Sequence, residues 1–153
     1  MVSSVGSTTL LHDATLLIRD LIASGVTDSI TRVGNEKFVM TSYPERPVKW
    51  PIITVKGNRT TEFLGMYSES QGVNLDFEVR IWASNALQKD GLAGSVYEAL
   101  REHQTGISPY SGTEPYGLVN FSLISEVDVD ETNEEGKSGV RSKVQNYRYF
   151  YVI

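Results

Sequence analysis

The sequence predicts an α+β domain: a mainly antiparallel sheet of about four strands, two helices packed on one face, and an extended hairpin or loop excursion. Three observations predict it. Apolar residues recur at helical spacing near the N-terminus, strict alternation runs through residues 74–83, and a second long alternating stretch closes the chain at 140–153.

Residues 1–8 are small and polar and read as a flexible N-terminus, with the single domain running over 9–153. In residues 9–23, Leu10, Ala14, Leu17 and Leu21 form one stripe that Ile18 and Ile22 widen. Thr8 or Thr9 suits the cap, Asp13 favours the first turns, and Gly25 is placed to end the helix. Residues 37–41 and 51–55 are rich in strand formers, and Pro51 fits a strand's first position, where its missing N–H does least damage. Residues 56–74 hold three glycines and no sustained period, and they are too long for an idle connection. They are either a hairpin arm or a functional loop.

In residues 74–83, Leu75, Phe77, Val79 and Ile81 alternate with Asp76, Glu78, Arg80 and Trp82, which is a strand with one buried face. Asn85, with Gln88 three residues on, opens a second helix over 86–103, in which Ala93, Val96, Tyr97 and Leu100 share a face. Residues 105–117 are proline-, glycine- and serine-rich loop. Alternation returns at 118–129 but slips near Ile124, which predicts a bulge. Residues 128–139 are acidic and read as a solvated hairpin tip. The final strand sets Tyr147, Tyr149, Tyr151 and Ile153 against Arg148, Phe150 and Val152.

Composition narrows the function. A chain of 153 residues with 40% apolar content can form one core without metal or disulfide support. The absence of cysteine removes thiol catalysis and thiolate metal sites and fits a reducing setting such as the cytoplasm. A net charge of -5 opposes a protein that holds nucleic acid by neutralising phosphates. No stretch approaches the roughly 18 to 20 apolar residues of a membrane span, so secretion and membrane insertion are not expected.

Chemistry-bearing patterns are sparse. His12 and His103 stand alone near predicted helix ends, and no nucleophile elbow, phosphate-binding loop or dinucleotide fingerprint is present. Asp76 and Glu78 share a strand face and could form an acid/base pair, although alternation alone places them on a solvated face. Asp128, Asp130, Glu131, Glu134 and Glu135 lack the ligand spacing of a calcium loop. Arg141, Lys143 and Arg148 among tyrosines suggest a base-stacking strip, which the adjoining acids oppose. No catalytic, cofactor or metal residue is assigned, and the chain is read as a non-enzyme.

What stands out is aromatic supply. Two helices cover one face of such a sheet, so the other face receives either Trp82 or the series Tyr147, Tyr149 and Tyr151. A contiguous apolar patch there would mark an interaction site, and self-association is the economical reading. Long final strands also offer backbone edges that neighbouring copies can satisfy.

An amphipathic helix precedes the segment Tyr43-Pro44-Glu45-Arg46-Pro47-Val48-Lys49-Trp50-Pro51-Ile52-Ile53-Thr54-Val55. Then comes Phe77-Glu78-Val79-Arg80-Ile81-Trp82-Ala83, leading into a helix that ends Tyr97-Glu98-Ala99-Leu100-Arg101. This pattern resembles the tail-terminator and tail-completion proteins of long-tailed phages and related archaeal viruses. The resemblance implies a virion structural protein, assembled in the host cytoplasm, that forms a ring, typically a hexamer, at the head-proximal end of the tail tube. Its partners would be its own copies, the tail tube protein and a head-tail connector or stopper. DNA would only pass through the lumen, without specific binding, and no cofactor is implied.

On this reading the loop 43–50, with Tyr43 and Trp50, the excursion 56–74 and the acidic tip project from the ring. Arg46, Lys49, Arg59 and Arg80 would face carboxylates of neighbouring subunits. Trp82, Tyr147, Tyr149 and Tyr151 are the candidate aromatic contacts. Another connector subunit, an adaptor or a stopper, fits the same size and class. A small monomeric ligand-binding or enzymatic domain would instead show polar residues converging in a pocket.

Overall fold

The fold is that of a computed structural model, which describes residues 9–34, 36–44, 49–64, 70–102, 118–132 and 138–152. The expectations for residues 1–8, Arg46, His103, the loop 105–117 and the tip 133–137 lie outside the described residues.

The first helix, α1 (Leu10–Gly25), buries Leu10, Ala14, Leu17, Ile18, Leu21 and Ile22, the stripe that the spacing predicts. Its N-cap is Thr9, but the hydroxyl makes no backbone cap; it donates to the Asp13 carboxylate at 2.5 Å. Gly25 is the last helical residue rather than a left-handed stop. A Cβ there would stand 2.6 Å from that of Ala99, so its missing side chain serves the close approach of the second helix.

Beyond α1, Arg32 ties the following loop to the sheet. Its Nε donates to Asp28 at 2.6 Å, its Nη1 to the carbonyl of Lys49 at 2.9 Å, and its Nη2 to the carbonyl of Pro51. These bonds position the entry to the central hairpin. The segment 37–41 contributes only the two-residue β1 (Val39–Met40), which pairs parallel with β2 (Ile52–Leu64).

The excursion 56–74 is a hairpin arm. β2 continues to Leu64 and returns as β3 (Ser70–Ala83), paired antiparallel with register shifts after Arg59 and Phe63. Next, α2 (Ala86–Glu102) opens on the expected box: the Gln88 N–H donates to Asn85 Oδ1 at 2.8 Å, and the Gln88 side chain accepts from the Ser84 N–H at 3.2 Å. The last two strands, β4 (Leu118–Thr132) and β5 (Ser138–Val152), form a second long hairpin. The described residues of the acidic stretch are therefore strand, since β4 runs to Thr132 and β5 starts at Ser138.

Among the described residues the sheet has five strands in the order β1-β2-β3-β5-β4, against about four expected. Among the described strands only the β1–β2 pair is parallel. α1 lies over β1 and β2, while α2 lies over β3 and β5 and against α1. The core is the layer between: Ile53, Val55, Leu75, Phe77, Val79 and Ile81 meet the apolar stripes of both helices. Near Ile124 the register shifts twice, between Val119 and Ser122 and between Leu123 and Ser125. Asn120, at φ 57, takes the left-handed conformation that asparagine tolerates better than most residues.

Candidate functional site

Register decides which aromatic series looks away from the helices. β3 and β5 pair Phe77 with Tyr147 and Leu75 with Tyr149, which places these tyrosines on the helix side. Both are fully buried, and Phe121 of β4 stacks on Tyr147 with ring centroids 5.4 Å apart. The interface expectation for Tyr147 and Tyr149 is therefore corrected: they are core. Tyr151, half-buried, packs against the same core. Burial raises the pKa of both core phenols, with desolvation the main cause, and keeps them neutral.

The face turned away from the helices is polar through its centre. Thr54, Lys56 and Asn58 of β2 lie beside Arg80, Glu78 and Asp76 of β3, then Val144, Asn146 and Arg148 of β5. Asp76 takes both arms of Arg148, at 2.8 and 3.0 Å, and Glu78 lies 3.9 Å from Arg80, so the two carboxylates answer separate cations rather than form a pair. The expected aromatic surplus on this face is thus mostly absent among the described residues.

Trp82 does point away from the helices, yet it is only 8% exposed. Tyr43 meets it edge-on at 5.1 Å, and the Arg80 guanidinium sits 5.4 Å from its ring centroid. Tyr43, Lys56, Glu78, Arg80 and Trp82 line a shallow groove of about 400 Å³, at the point where β1 leaves the outer side of β2. Arg80 Nε is buried there with no hydrogen bond among the described residues. Of the other expected contacts, Lys49 and Arg59 are exposed and Trp50 is half-buried. Lys49 meets the Arg32 guanidinium only through its backbone carbonyl.

Leu87, Val33 and Tyr43 are exposed singly, and the apolar residues exposed together on one element lie on the edge strand instead. Leu123, Ile124, Val127 and Val129 are 38, 49, 54 and 36% exposed. Val127 and Val129 stand opposite Val144 and Ser142 and so share the polar face. The outward alternation of 118–129 already carries this signal, but naming β4 as the sheet's end requires the strand order.

On the helix side, β4 and β5 are clamped to α2 by charges, and Lys143 and Asp128 meet here with Lys89, Asp90 and Glu126 rather than in the basic strip and acidic group that the sequence suggests. Lys143 Nζ lies 2.9 Å from Asp90, 3.1 Å from Glu126 and 3.5 Å from Asp128, and Lys89 Nζ lies 3.0 Å from Asp128. The two lysine side chains are only 5% and 12% exposed. Gln145 donates from Nε2 both to the Ala93 carbonyl at 3.1 Å and to Glu126 at 3.0 Å. The hydrogen bond from Lys89 is the main cause that lowers the Asp128 pKa below its ordinary 3.8. The hydrogen bond that Lys143 donates to Asp90 is the main cause that raises the Lys143 pKa above 10.5.

The signs give a prediction. A depressed carboxylate stabilises the fold above its ordinary pKa and loses that contribution as pH falls through the folded value. A raised lysine stabilises below 10.5 and loses its contribution above it, and the raised phenols, ordinarily at 10.0, act in the same direction. Urea midpoints are therefore expected to hold steady between these limits, falling below pH 3.8 and above pH 10.0. Lys89→Met is expected to flatten the acid limb, and an unchanged acid limb would remove the clamp from the account.

His12 is exposed, 3.3 Å from Asp13, and no group of three or more potential metal ligands occurs among the described residues. No helix is long and apolar enough to cross a membrane among the described residues. Compared with models of known protein families and with curated proteins, the sequence matches none.

Proposed function

We propose that this chain is a structural subunit of a tailed-virus particle, a tail-terminator-like protein that acts by assembling into a ring, without turnover. The observation that carries the reading is the form of the sheet: it ends in a 15-residue edge strand that exposes Leu123, Ile124, Val127 and Val129. An exposed apolar edge of this length is a liability for a solitary protein and an asset for one whose copies cover it. Two hairpins of strands 13 to 15 residues long provide arms that a ring can extend toward a tube or a connector.

Capping in this reading is competitive occupancy. The ring binds the growing end of the tail tube and presents a different surface outward, so tube subunits stop adding. The resemblance of residues 43–55, 77–83 and 97–101 to tail terminators supports this reading, and an adaptor or stopper of the same size and class is told from it by experiment.

Deleting the gene from the virus and measuring tails by electron microscopy tests the role. Overlong or headless tails are expected. Tails of normal length that fail to join heads would assign the chain to an adaptor instead.

A second reading, a small ligand-binding domain, has one observation in its favour: the groove in which Arg80, Lys56 and Glu78 converge beside Trp82. It requires a protein that stays monomeric in light scattering at all concentrations.

A further inference from the structure

We propose that copies of this chain join head to tail, with the outer edge of β4 in one copy adding antiparallel to the outer edge of β2, from Val55 to Leu64, in the next. The proposal rests on the ring reading only for its closure; the contact stands on the geometry of the two edges.

β1 covers β2 at Ile53 and Thr54 alone, so from Val55 onward no described strand pairs with that side of β2. At the other end of the sheet, no described strand pairs with the outer side of β4. Direction is consistent with joining the two. β2 and β3 are antiparallel, β3 and β5 are antiparallel, and so are β5 and β4. β2 and β5 therefore run one way, and β3 and β4 the other. A second copy set alongside with the same face upward brings β4 antiparallel to β2, the pairing that is slightly more stable per residue than the parallel one. The contact is heterologous, and repetition around an axis closes a ring.

Charge selects this occupant over a β4–β4 pairing. Along β4 lie Glu126 and Asp128, and two such strands side by side would oppose like charges. The free stretch of β2 carries Lys56 and Arg59 against the single acid Glu62. Arg59 lies in the helix-side row, level with Leu75, and so do Glu126 and Asp128, level with Gln145 and Lys143. In the other row, Val127 and Val129 come to the side of β2 where Lys56 and the rings of Tyr43 and Trp82 form the groove. Burying the two valines there removes the apolar exposure that the isolated chain leaves.

The natural chain has no cysteine, which makes site-directed cross-linking clean. Val127→Cys and Lys56→Cys, both at exposed positions, are purified separately and treated with a short bifunctional thiol reagent, alone and mixed. Cross-linked dimer is expected from the mixture and little from either variant alone, while the double variant gives a ladder. In parallel, Val127→Lys combined with Val129→Lys is expected to raise the concentration at which light scattering detects assembly by roughly tenfold or more, equivalent to about 1.4 kcal/mol. Its circular dichroism melt should match that of the parent. Equal cross-linking by Val127→Cys alone would overturn the proposal in favour of β4–β4 contact. Assembly without cross-links from the mixture, or a monomer at every concentration, would overturn it outright. Cross-linking as expected together with tails of normal length on gene deletion would keep the edge contact and reject the terminator role.

Discussion

Phe77→Ala is expected to lower folding stability by about 3 to 5 kcal/mol, the range for removing a fully buried phenyl ring and leaving a cavity. Phe77 has no exposure, meets the Tyr149 ring at 5.8 Å, and lies beneath α1, where its Cε1 closes on Gly57. It thus joins the first helix, the central hairpin and the C-terminal strand in one contact set. The loss depends on how far these elements can close on the gap, and opposed rings such as Tyr149 leave little freedom to do so. Chemical denaturation followed by circular dichroism reads it directly. Phe77→Leu, which returns most of the volume, should recover more than half of the loss. Equal losses for both variants would mean that the ring's shape rather than its volume matters.

Gly57→Val is expected to be nearly as damaging for the opposite reason. Gly57 faces the helices at the level of Phe77, and α1 crosses directly over it. A Cβ at this position would stand 2.5 Å from Thr15 Oγ1 and 3.1 Å from both Leu11 Cδ1 and Phe77 Cε1. Thr15 is itself held by a hydrogen bond from its hydroxyl to the Leu11 carbonyl at 2.7 Å, so it cannot swing aside without losing a partner. Overpacking of this kind costs about 1 to 3 kcal/mol even where the core adjusts, and here it lifts a helix. The expected signature is a lower denaturation midpoint, with amides of α1 exchanging faster than those of β3 and β5. Gly57→Ala should show the same pattern at smaller amplitude. Uniform exchange across the fold would show that α1 is not the element displaced.

The two helices and the alternating strands were legible because burial writes a period into the chain. Leu10, Ala14, Leu17 and Leu21 can share a face only in a helix, and Leu75, Phe77, Val79 and Ile81 only in a strand. The α2 cap was legible for a similar reason, since Asn85 and Gln88 act within one turn. The bulge near Ile124 was visible as a break in alternation. For residues 56–74 the period fails because register shifts interrupt the pairing, so an arm and a loop read alike until β2 and β3 are seen together.

The surface was harder to read than the fold, and the reason is order in space. Alternation states that Tyr147 and Tyr149 share a side, but not whether that side meets helices or water. Only pairing with Leu75 and Phe77 sends them inward, and the same register sends Trp82 outward under the cover of Tyr43. Lys143, Asp90, Glu126 and Asp128 come from three elements, and no local spacing announces that they meet. Local periodicity thus established the class of fold and the core side of α1, α2 and β3. Strand order and register, which depend on contacts between residues far apart in the chain, set which face is polar and which edge is left uncovered. They also moved the apolar surplus from the tyrosines to Val127 and Val129.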